Sequence, residues 1–102
     1  MSSGQTLTII NALTNAATGA TSAVFEINLR GALSLNTFGT FGGSTVKVQA
    51  SHDNVNWGDI AGLAATAAGY LVANANLGLV VRYVRVVVTG GAGVSVSAQL
   101  CW

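Results

Sequence analysis

The chain is predicted to be all-β: a single-domain β-sandwich over residues 1–102, of jelly-roll or immunoglobulin-like type, with about seven or eight short strands and no substantial helix. Three observations predict it. Apolar and polar residues alternate with a period of two in several runs, which gives each strand one apolar face. Clusters of glycine and small polar residues, at 15–22, 39–44, 51–56, 74–78 and 90–93, separate those runs at strand-length intervals. Proline, the residue least tolerated inside a paired ladder, is absent.

Taken in order, residues 6–10 and 23–29 read as the first strands, the second with Val24, Glu26 and Asn28 on one face and Phe25, Ile27 and Leu29 on the other. Residues 32–35 extend that run after a bend at Gly31. Val46, Val48 and Ala50 alternate with Thr45, Lys47 and Gln49. Residues 61–68 are Ala-rich but interrupted by Gly62, and they read as one turn of helix or a plain loop. Along 80–89, Val84, Val86 and Val88 share a face with Arg82, while Val81, Tyr83 and Val87 share the other with Arg85. Apolar groups on both faces predict cover on both sides, by a second sheet or a neighbouring subunit. Val94, Val96, Ala98 and Leu100 alternate with Ser95, Ser97, Gln99 and Cys101, and the glycines at 90–93 predict a hairpin into this run.

Of the 102 residues 51% are hydrophobic and 7% charged, against about 25% charged in an ordinary domain. That excludes a disordered chain, and the length excludes a large multi-domain enzyme. The most apolar window, 77–88, holds Arg82 and Arg85 and is too short for a spanning helix of about 20 residues, so no membrane partner is expected. A net charge of +1, with only Arg30, Lys47, Arg82 and Arg85 as cations, gives no footprint for nucleic acid. The first five residues lack the features of a secretion signal, which predicts synthesis in a cytosol. Cys101 is the single cysteine and permits no intrachain disulfide.

Catalytic material is scarce. His52 would have to work with Glu26, Asp53 or Asp59, its neighbour Asp53 points away from it in an extended chain, and no Gly-x-Ser-x-Gly elbow exists. His52, Asp53, Asn54 and Asp59 lack the spacing of a calcium loop. No catalytic residue, metal site or cofactor is therefore expected, and Asp53 and Asn54 are assigned to a tight turn. Glu26 is expected to pair with Arg82 or Arg85 across strands. Phe38 and Phe41, in a glycine-rich segment, either tuck under the rim of the sandwich or face a partner. Trp102 either caps the sandwich or sits at an interface, where indoles are enriched.

Two stretches carry a resemblance. Val46-Lys47-Val48-Gln49-Ala50-Ser51-His52-Asp53-Asn54-Val55-Asn56-Trp57, followed by Arg82-Tyr83-Val84-Arg85-Val86, resembles the strand, Ser-x-Asp-x-x-x-Trp turn and Arg-Tyr-Val-Arg strand of discoidin-like and galactose-binding jelly rolls. Similar wording occurs in small virion proteins of tailed phages. The resemblance implies that Trp57 returns from the Asp53 turn as an anchor against the sheet.

Two functions follow from it. A carbohydrate-binding module of discoidin-like type is one, but the loops here hold few acids or exposed rings to grip a sugar. The other, favoured by the lack of charge, is a structural virion protein, a surface so poor in charge being expected to be covered by neighbours. The expected role is a capsid decoration or cement protein on the head, with a head–tail joining or tail role as the nearest variant. Its expected partners are the major capsid protein and copies of itself, in a trimer if the resemblance extends that far. Phe38, Phe41 and Trp102 are the candidate contacts, with Arg30 and Lys47 at the rim.

Overall fold

The computed structural model describes residues 7–73 and 79–102. Thr6 of the first predicted strand, the segment 1–5 and the turn at 74–78 lie outside the described residues. Eight strands follow one another: β1 (Ile9–Ala16), β2 (Phe25–Gly31), β3 (Leu33–Thr40), β4 (Thr45–Ser51), β5 (Gly58–Ala65), β6 (Gly69–Ala73), β7 (Leu79–Thr89) and β8 (Ser95–Cys101). No helix occurs among the described residues. The strands form two antiparallel sheets, a first in the order β1-β8-β3-β6 and a second in the order β2-β7-β4-β5.

Pairing is nested: β1 with β8, β2 with β7, β3 with β6, and β4 with β5. Of the connections between consecutive strands, only β4–β5 stays within one sheet. A long antiparallel ribbon wound this way is a jelly roll, which decides between the two sandwich types that the sequence left open.

The alternation explains the layers. Val46 and Val48 of β4, Val84, Val86 and Val88 of β7, Leu33 and Leu35 of β3, and Val96 and Leu100 of β8 turn inward and are essentially inaccessible. Each such side chain contributes about 1.5–3 kcal/mol when taken from water. Their polar neighbours Lys47, Gln49, Asn36 and Gln99 point outward by the same period.

The structure corrects three local expectations. Residues 61–68 are neither helix nor loop, because strand β5 occupies most of them and β6 begins at Gly69. Alternation is hidden there because Ile60 and Leu63 are both buried at an odd spacing. A bulge opposite Lys47–Gln49 makes this possible, with Gly62 at φ 87°. Residues 90–93 form no hairpin, since β7 and β8 belong to different sheets and the glycines turn a corner between them. The corner packs on the 41–44 turn, where the Ala92 amide donates to the Gly42 carbonyl at 3.0 Å. Finally, the first strand runs Ile9–Ala16 rather than 6–10, with two register shifts against β8 that break its period.

Candidate functional site

All seven charged residues and the histidine lie on one side of the molecule's architecture. Glu26 and Arg30 are on β2, Lys47 on β4, His52 and Asp53 in the β4–β5 turn, Asp59 on β5, and Arg82 and Arg85 on β7. The first sheet carries none.

On the second sheet the charges are tied down. Register places Arg85 beside Gln49 and Gln49 beside Asp59. Arg85 Nε donates to Gln49 Oε1 at 2.8 Å, Gln49 Nε2 donates to Asp59 Oδ1 at 2.9 Å, and Lys47 Nζ meets Asp59 Oδ2 at 3.3 Å. The Gln49 amide and then the Lys47 ammonium hold the Asp59 carboxyl below its ordinary value. The Arg85 guanidinium also stacks on Trp57, while Arg82 meets Glu26 at 3.6 Å and lies over the Tyr83 ring.

The β4–β5 turn is closed by its own side chains. Asp53 Oδ1 accepts from the Val55 and Asn56 amides at 2.9 Å each, and Ser51 Oγ accepts from the Asn54 amide at 2.9 Å. Asn54 sits at φ 62°, which asparagine tolerates. The Asn56 and Val55 amides, helped by the Asn56 and Ser51 side chains, hold the Asp53 carboxyl far below the usual carboxylate range. The acid serves the backbone of the turn, and no three His, Cys, Asp or Glu residues converge on a metal position among the described residues.

The outer face of the first sheet is the opposite in character. One row across its four strands reads Ile9, Cys101, Ser34, Val72, and the next reads Asn11, Gln99, Asn36, Tyr70. Gln99 Nε2 donates to Asn11 Oδ1 at 2.9 Å, and Asn36 Nδ2 approaches Gln99 Oε1 at 3.5 Å. Around these amides stand exposed apolar groups: Ile9 is 64% accessible, Tyr70 67%, Val72 47% and Phe38 46%. The result is an uncharged face of amides, rings and aliphatic groups.

The sequence-predicted contact residues separate. Phe38 does face outward on this sheet. Phe41 does not offer itself to a partner; it is buried in the core beneath the 41–44 turn, the other of the two readings open to it. Trp102 is half-buried against the core, and its backbone exchanges hydrogen bonds with Thr8 at 2.8 and 3.1 Å, which prolongs the β1–β8 ladder. Sequence reasoning missed the Asn11–Gln99–Asn36–Tyr70 row. Each residue has the outward phase of its own strand, but only the pairing register aligns them.

The sequence matches no protein-family model and no curated protein. Among solved structures, the chain is similar to the SPBc2 prophage-derived protein YomS, with a TM-score of 0.73 and 12% identity over 94% of this chain and 91% of that one. A further match is CBM32-1 from a family 31 glycoside hydrolase of Clostridium perfringens, with a TM-score of 0.49 and 16% identity over 78% of this chain and 62% of that module. What the first likeness establishes is the fold, shared across almost the full length of both chains.

Proposed function

We propose that the chain is a structural virion protein of the capsid decoration type, which stabilises a phage head by protein–protein contact and performs no chemistry. The observation that carries this reading is the charge-free outer face of the first sheet, in a chain whose every charge lies elsewhere. Burying it against a shell desolvates no ion, while the charged second sheet stays in water. Likeness in fold to a prophage-derived protein supports the setting. The partners in this reading are the major capsid protein and further copies of the chain, arranged as a trimer on the head surface. Neither nucleic acid nor membrane takes part. Many weak contacts repeated over a shell hold firmly through avidity.

The test is cosedimentation with phage heads that lack the protein. Wild type binds in hundreds of copies per head, and Asn36→Lys, which puts a charge in the middle of the face, releases it while its unfolding temperature stays the same. Binding restricted to a single ring at the head vertex favours a joining role. Equal binding by Asn36→Lys sinks the assignment of the face.

A second reading is favoured by Tyr70, whose exposed ring ends the row of amides. Neutral amides beside an aromatic ring suit a neutral saccharide. Retention on a galactose or glucan column that Tyr70→Ala abolishes, with no binding to heads, replaces the first reading by this one.

A further inference from the structure

The charges of this chain leave one cation over. Its only acids are Glu26, Asp53 and Asp59. Glu26 faces Arg82, Asp59 holds Lys47, and the Asp53 carboxylate is occupied by its own turn. Arg85 is engaged by Gln49 and Trp57. Arg30 has no ion pair or side-chain hydrogen bond among the described residues, and each of the chain's three acidic side chains already has a partner. A second copy of the chain brings only the same three partnered acids, so an unpartnered carboxylate has to come from a different protein.

Arg30 also occupies a particular place. It is exposed at the end of β2 opposite Val80, and with Leu29 it lines two separate concavities. One, of about 460 Å³, is walled by Arg82 and His52 and floored by Leu29, Val80 and Val81. The other, of about 360 Å³, is lined by Leu7, Tyr70, Val72 and Trp102. Val80, Leu7 and Tyr70 are all more than half exposed, which is costly for apolar groups left in water. The guanidinium thus stands on a rim with apolar surface on either side. Its planar fork suits a carboxylate, and Arg flanked by apolar contacts is a recurrent anchor of protein interfaces.

We propose that this rim docks a peptide segment of a different protein in which an acidic side chain stands between two apolar ones. The carboxylate pairs with Arg30, one apolar neighbour enters the Leu29–Val80–Val81 depression, and the other enters the Tyr70–Val72–Trp102 groove. The chain's own Phe25-Glu26-Ile27 has that pattern but is not available, because Phe25 and Ile27 pack against the core and Glu26 faces Arg82. The site goes beyond the virion reading and does not need it.

Titration of the isotope-labelled full chain by amide NMR tests it, with acetyl-Leu-Glu-Leu-amide as probe and acetyl-Leu-Gln-Leu-amide and inorganic phosphate as comparisons. The expected result is a set of shifts at Leu29, Arg30, Val80, Val81 and Tyr70, with the Glu peptide bound about fivefold tighter than the Gln peptide. Arg30→Gln, a surface change that leaves the fold intact, removes that preference. Equal binding of the two peptides, no change in Arg30→Gln, or the same shifts from phosphate alone overturns the proposal.

Discussion

The guanidinium of Arg85 lies 4.3 Å from the centroid of the Trp57 ring, joining the middle of β7 to the residue that ends the β4–β5 turn. The same side chain donates to Gln49, so two neighbouring segments converge on one cation. Arg85→Ala removes both contacts. The expected loss is about 1–2 kcal/mol, or a fall in unfolding temperature of roughly 5–9 °C. Circular dichroism melting measures it directly. A red shift in Trp57 emission accompanies the change, and an unaltered melting curve would show that the stack contributes nothing.

The Asp53 turn gives the protein a pH dependence of predictable sign. Because hydrogen bonds from the Asn56 and Val55 amides lower the carboxyl below its ordinary value of 3.8, the ionised form stabilises the folded state. That contribution is complete above pH 3.8 and is lost as the pH falls from there toward the lowered folded-state value. Asp53→Ala should melt at a lower temperature than wild type at pH 7, with the gap closing below pH 3.8. A gap that persists undiminished at pH 2 contradicts the account.

Gly42 is held at φ 57° with a Cβ position that would overlap the Ala92 carbonyl oxygen. Gly19, at φ 86°, has open space around its own. Gly19→Ala is expected to cost about 1 kcal/mol through backbone strain alone, and Gly42→Ala at least about 2 kcal/mol more through collision. Denaturant titration of both variants compares them, and similar midpoints would mean that the 41–44 turn and the 90–93 corner are not locked together.

Ser44 is 1% exposed and its Oγ has no hydrogen-bond partner among the described residues. A buried hydroxyl without a partner is worse than none, so Ser44→Ala should be neutral or stabilising, by up to about 1 kcal/mol. A clear drop in unfolding temperature would reveal a partner for that hydroxyl.

The sheet architecture was legible wherever alternation ran unbroken. The Val84, Val86 and Val88 phase and the Val96, Ala98 and Leu100 phase both point at the core as the period demands. Legibility failed at bulges. Ile60 and Leu63 share the core at a spacing that no flat strand allows, and the small residues of 61–68 carry little hydrophobic contrast. It failed again at residues 90–93, because glycines mark a reversal without saying whether the next strand pairs with the last or crosses to the other sheet. The polar turn could be read from Ser51, Asp53 and Asn54, since its bonds are local. The uncharged face could not, because Asn11, Asn36 and Gln99 are brought together only by pairing across the chain.

Nested pairing also sets the order in which this molecule can be made. Asn11 has to wait for Gln99 and Glu26 for Tyr83, while only β4 and β5 find each other locally. On the ribosome, β1 therefore emerges as an edge without a neighbour until β8 has been synthesised, and the first sheet closes last. Such non-local closure is slow and leaves an interval in which strand edges are open to one another. The scarcity of charge leaves little electrostatic protection against association during that interval.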